Sequence, residues 1–151
     1  DVREFSLGDL GVGECSGEVI SQFQFLLADA EREVFEAQLK HEEGDLLEAD
    51  SLAYSGMLKA AKALIQEQIK DIGKEPDHVV HEFRTRFYDT ELFFDQYARG
   101  KFGRYLLQRY EAGPVGGNTE AVHQLIEEAQ LFIDATHACS AKMQEQGVLQ
   151  N

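Results

Sequence analysis

Three polar residues, His78, His81 and Glu82, have the spacing of metal ligands. On a helix His78 lies beside both of the others, at three- and four-residue steps. Two imidazoles and a carboxylate so placed could hold zinc or iron. Such a centre needs a third or fourth ligand from elsewhere, and the sequence marks none, so the three read as polar residues at a helix start. Glu120 and His123 form a Glu-x-x-His element. Di-iron bundles use two of these with two further glutamates. The chain has no second one, so a carboxylate-bridged metal bundle is incomplete; Glu120 reads as a helix N-terminal charge and His123 as a solvent-facing residue. His41 and His137 fall near the ends of long predicted helices, where a cation complements the negative pole. No serine or cysteine stands with a histidine in a pattern for nucleophilic catalysis. The sequence therefore assigns no catalytic, cofactor-binding or metal-ligating residue.

Cys15 and Cys139 stand 124 positions apart. They are too few for a cluster or a four-cysteine zinc site. A reduced, cytoplasmic setting is the simplest expectation, although two cysteines can pair. Cys139 reads as a buried inert thiol. Cys15 lies in a glycine-rich segment beside Glu14 and Glu18, which disfavour its thiolate.

One region concentrates positive charge and aromatic rings. Arg84, Arg86, Arg99, Lys101, Arg104 and Arg109 fall among Phe83, Phe87, Tyr88, Phe93, Phe94, Tyr97, Phe102, Tyr105 and Tyr110. Aromatic residues at helical spacing usually build a core. The functional alternative is a docking patch for an acidic partner or a phosphate-bearing ligand.

The elements that must position these residues are helical. The 151 residues suit one domain, with 28 Asp and Glu against 14 Lys and Arg and a net charge of −14. That charge opposes approach to phosphate backbones, so nucleic-acid binding is not expected. No apolar run is long enough for a membrane span, and no signal-peptide pattern occurs. Residues 1–16 read as an extended lead-in from a preceding domain, and 17–151 as a helical bundle. Ser16 caps a helix over about 17–41, closed by Gly44. A second helix runs from about Asp45 to Ile72. Its Ala49, Ala53, Gly56, Ala60 and Ala63 form a narrow face for close approach of a neighbour. A third starts at Pro76 and ends before Gly100, carrying Val79, Val80, Phe83, Phe87, Leu92, Phe93 and Phe94. A short helix covers about 101–110. The last runs from Asn118 or Thr119 to about Gln146 on a stripe of Val122, Leu125, Ala129, Phe132, Ile133 and Thr136. The expected fold is all-α, an up-and-down bundle of four to five helices.

The run Ala-Asp-Ser-Leu-Ala-Tyr-Ser-Gly-Met-Leu-Lys-Ala-Ala-Lys-Ala-Leu-Ile at 49–65 resembles the central helix of HEPN domains. The closing Ala-Val-His-Gln-Leu-Ile-Glu-Glu-Ala-Gln-Leu-Phe-Ile-Asp-Ala at 121–135 fits the same layout, and the likeness spans about residues 18–145. Ribonuclease members of that superfamily carry an arginine, then four to six intervening residues, then a histidine. No such pair exists here, so no nuclease residues carry over. Gly11-Val-Gly-Glu-Cys-Ser-Gly-Glu18 is similar to the start of a C-terminal extension in bacterial sirohaem-dependent sulfite or nitrite reductases. That resemblance implies a non-catalytic accessory domain, with sirohaem and a [4Fe-4S] cluster held by the parent enzyme and none in this chain. It also implies as partners the parent's catalytic domain, an acidic electron carrier, or a second copy. The alternative is a stand-alone HEPN-type protein that binds a nucleotide or a partner without nuclease activity.

Overall fold

A computed structural model describes residues 21–146, and the expectations for the lead-in, Ser16, Cys15 and the sirohaem-reductase-like motif lie outside that range. The described chain is all-α. It comprises α1 (Gln22–Glu43), α2 (Leu46–Gln66), α3 (Pro76–Phe83), a π-helical turn (Arg84–Tyr88), α4 (Lys101–Ala112) and α5 (Thr119–Glu145).

The α1 helix begins later than the sequence suggests. Ser21 is its N-cap: the hydroxyl accepts from Gln24 N–H at 3.1 Å while the Gln24 side chain accepts from Ser21 N–H at 3.4 Å. These reciprocal bonds satisfy two donors that a helix start otherwise leaves open, which fixes the start at Gln22 rather than near Gly17. Gly44 closes α1 at φ +86°, where a side chain would be strained, and its N–H returns to the last carbonyls. Asp45 then caps α2 by accepting from Glu48 N–H. So short a link forces α1 and α2 to run antiparallel. Accordingly, Lys59 of α2 reaches both Asp29 and Glu33 of α1, at 2.5 and 2.6 Å.

The small-residue face of α2 is the centre of the molecule. Ala49, Ala53, Ala60 and Ala63 are fully buried. At Gly56 an added Cβ would stand 2.9 Å from Val34 Cγ2 and 3.1 Å from the Ala30 carbonyl oxygen. Glycine is thus required there by the closeness of α1. The predicted stripe of α5 is buried in full. α5 runs antiparallel to α1: His41, near the end of α1, donates to the Thr119 carbonyl at the start of α5, while Glu31 meets His137 further along. It follows that α2 and α5 run in the same sense.

Two helices are shorter than expected. α2 ends at Gln66, where the N–H groups of Glu67 and Gln68 bond carbonyls three residues back and tighten the last turn. Ile72 is still buried, in the irregular connection after it, so its apolar signal is met without helical backbone. α3 does not continue to Gly100. It widens into the π turn, closed by Asp89 N–H to the Arg84 carbonyl at 2.8 Å. Thr85 and Thr90 hydroxyls take the carbonyls of His81 and Arg86, which compete with the regular ladder. Beyond it residues 89–100 form an irregular turn that swings Phe93 back inward. Phe93 lies 5.0 Å from Phe83 and 5.1 Å from Phe132 between ring centres, so the aromatic run builds core as its spacing suggests. Gly103 on α4 leaves room for it: a Cβ there would meet Tyr88 at 3.0 Å and Phe93 at 3.3 Å.

Candidate functional site

The six basic residues of the candidate patch have three fates. Arg109 is 8% exposed. Its guanidinium donates to both oxygens of Asp50, at 3.3 and 2.7 Å, and lies 4.1 Å from the Tyr54 ring centre. Asp50 also accepts from Val115 N–H at 3.3 Å, tying α2 to the connection between α4 and α5. Arg109 is therefore a core ion pair and not part of a surface. A carboxylate on the buried face of α2 should have signalled such a partner, because a lone buried charge is prohibitively costly. Arg84 and Arg86 are half-buried and paired, the first with Glu111 at 3.4 Å and the second with Glu82 at 2.6 Å. Arg86 also holds the Glu82 carboxyl below its usual range.

Arg99, Lys101 and Arg104 remain exposed, and no ion pair engages them among the described residues. They belong to the turn at 89–100 and the first turn of α4. The turn is built by Asp95. Its Oδ2 accepts from Tyr97 N–H at 2.7 Å and Ala98 N–H at 2.6 Å, and its backbone exchanges two hydrogen bonds with Arg99. This closes a five-residue loop with Tyr97 at its tip, 87% exposed. Two non-glycine residues, Glu91 (φ +61°) and Arg99 (φ +59°), adopt left-handed backbone at the two ends of the segment. Such conformations persist only where the surroundings impose them. Beside the turn lies a pocket of about 220 Å³, with Phe94, Phe102 and Leu131 among its walls and Arg99 and Lys142 among its charged groups. Asp89, Glu91 and Asp95 balance the three exposed cations. The turn is thus locally neutral on a chain of net charge −14. An anionic partner meets less repulsion here than it would over the chain as a whole.

The metal-like residues are not assembled. His78 stands 3.7 Å from Glu82, whose other oxygen is taken by Arg86. His81 is exposed. His123 pairs with Glu127 at 3.2 Å and faces solvent, with the His41 ring 5.7 Å away between centres. Among the described residues no three His, Cys, Asp or Glu side chains come together as a metal would require. Cys139 is buried, and its thiol donates weakly to the Leu92 carbonyl. Burial pushes that thiol up to about 12, which removes nucleophilicity at neutral pH. No described helix is long and apolar enough to cross a membrane.

No family model matches the chain, and neither does any curated protein or solved structure.

Proposed function

We propose that the chain is a non-catalytic interaction domain, an up-and-down HEPN-like bundle whose docking surface is the turn carrying Tyr97, Arg99, Lys101 and Arg104. The observation that carries this reading is the turn itself. It is pinned by Asp95, presents an almost fully exposed aromatic ring, and relieves locally the acidity of the chain. Aromatic and arginine side chains are the usual energetic anchors of protein interfaces. The partner class is an acidic protein surface. Within the sirohaem-reductase reading, which rests on the resemblance of Gly11–Glu18, that partner is an acidic electron carrier of the ferredoxin or flavodoxin type. The reduction itself then belongs to a catalytic domain that holds the sirohaem and the [4Fe-4S] cluster.

The test is binding to an acidic carrier across a salt series, for the parent chain and for Arg99→Glu/Arg104→Glu. Association should weaken as salt rises and fall by about tenfold or more in the variant, with helicity unchanged. Binding to neither carrier, or binding indifferent to the reversal, would reduce the turn to ordinary surface.

A further inference from the structure

The pocket beside the turn presents both signs of charge around apolar walls. Phe93, Phe94 and Phe102 supply aromatic surface from the turn and the start of α4. The rest comes from α5, where Leu131, Asp134, Ala138 and Lys142 advance by three and four residues and so share one helix face. Arg99 and Lys142 are unspent cations, because no carboxylate pairs with either among the described residues. The two carboxylates of the pocket are half-spent. Asp95 commits Oδ2 to the Tyr97 and Ala98 N–H groups, and Asp134 accepts from Gln130 on Oδ1 at 3.2 Å. One oxygen of each is left open. Two cations, two carboxylates and aromatic rings thus surround a space of about 220 Å³.

We propose that this pocket binds a free α-amino acid with an apolar side chain, phenylalanine filling it best. Size sets the side chain. An apolar cavity of about 150 Å³ holds one benzene, so the space here takes a phenyl ring with the carbons that follow it. Pockets for drug-sized ligands start near about 300 Å³, which leaves a nucleotide too large. Charge sets the head group. The four charged side chains sum to zero and sit on a chain of net charge −14, so a simple anion gains little. A hydrocarbon would cover the walls and leave all four without a partner. A zwitterion matches them sign for sign. Its carboxylate accepts from Arg99 and Lys142, and its ammonium donates to the open oxygens of Asp95 and Asp134. The ligand ring meets the phenylalanine walls in edge-on or offset contact. This site goes beyond the docking surface, with which it shares Arg99 alone; Asp134, Ala138 and Lys142 belong to α5.

Amide chemical shifts of the full chain, titrated with L-phenylalanine, read the proposal directly. Saturable shifts should centre on Phe94, Leu131 and Ala138, with a dissociation constant of about 1 mM, the strength expected of a ligand this small. 3-Phenylpropionate lacks the ammonium and phenethylamine lacks the carboxylate, and each should bind about fivefold more weakly. Asp134→Asn should weaken phenylalanine by a similar factor without weakening 3-phenylpropionate. Lys142→Met should weaken phenylalanine without weakening phenethylamine. Ala138→Phe should fill the pocket and abolish binding with circular dichroism unchanged, since Ala138 is exposed. That variant leaves Tyr97, Arg99, Lys101 and Arg104 in place, so carrier binding should persist in it and the two readings fail separately. No saturable shift up to about 20 mM, some tenfold above the expected constant, would overturn the proposal. So would binding indifferent to Ala138→Phe, or 3-phenylpropionate binding as tightly as phenylalanine.

Discussion

Replacing Gly56 with a larger residue strikes the closest approach of α1 and α2. A single methyl already sits 2.9 Å from Val34 Cγ2 and 3.1 Å from the Ala30 carbonyl oxygen. Val34 is fully buried and β-branched, so it rotates little, and the carbonyl belongs to helix backbone that cannot move alone. Gly56→Ala gains ~1 kcal/mol of helix propensity but loses ~1–3 kcal/mol to overpacking, for a net loss of up to ~2 kcal/mol. Gly56→Leu forces three more carbons into the same contact and should cost upwards of ~3 kcal/mol, a large share of the stability of a domain this size. Leu52 is only half-buried, so Leu52→Ala should cost about 1–2 kcal/mol, less than a full core truncation. At about 2–4 °C per kcal/mol, the expected order of melting temperatures is parent, then Gly56→Ala, then Leu52→Ala close by, with Gly56→Leu well below. Urea titration and thermal melts followed by circular dichroism give the order. A Gly56→Leu midpoint equal to the parent's, or a Gly56→Ala stabilised by its whole propensity gain, would refute the close packing of the two helices.

The ion pairs and the buried thiol are open to measurement as well. Arg109→Met leaves Asp50 buried and charged without its partner, and should destabilise by about 3–5 kcal/mol, whereas Asp50→Leu/Arg109→Met should recover a substantial part; denaturant melts of both variants decide. Lys59 and then Arg32 hold the Asp29 carboxyl below its usual range by hydrogen bonding, and Arg86 does the same for Glu82. Their stabilisation is present above the ordinary carboxylate range near pH 4 and is lost as pH falls through their lowered values, so the urea midpoint should drop below about pH 4. Lys59→Met should flatten that drop. The raised Cys139 thiol binds its proton more tightly folded than unfolded, so stability should decline from about pH 8.5 toward about 12. At pH 8, in a Cys15→Ser background, alkylation of Cys139 should be slow until urea unfolds the chain; rapid labelling of the folded protein would contradict its burial.

The packing of α2 and α5 was legible because it is written in local periodicity. Five small residues at three- and four-residue steps state that a neighbour comes close, and Val34 over Gly56 is that neighbour. The Gly44 stop and the Asn118 start were equally readable, since each is a local hydrogen-bonding device. The end of α3 was not. Phe87, Phe93 and Phe94 keep a helical rhythm, and neither glycine nor proline interrupts residues 84–99. The left-handed turns fall instead on Glu91 and Arg99, types that rarely adopt them. The basic cluster was legible only as a composition. Which cations were committed depended on Glu82, Glu111 and Asp50. Glu82 stands one helical turn from Arg86, but Glu111 is 27 residues from Arg84 and Asp50 is 59 from Arg109. Sequence spacing carries no record of pairings that distant.

The π turn at Arg84–Tyr88 gives this stretch an indexing role. One extra residue is held in a single wide turn, so every residue after it is rotated and advanced relative to a regular helix. Removing one residue there would not merely shorten the chain. A regular helix would then form, turning the downstream segment by about 100° and drawing it back by about 1.5 Å. Phe87 and Phe93, now packed toward Phe83 and Phe132, would be aimed past them, and Gly103 would face the wrong ring. The length of this segment is therefore a reading frame for the aromatic core. A single deletion should be far more damaging than most substitutions at the same five positions, and a compensating insertion just beyond Tyr88 should restore the phase.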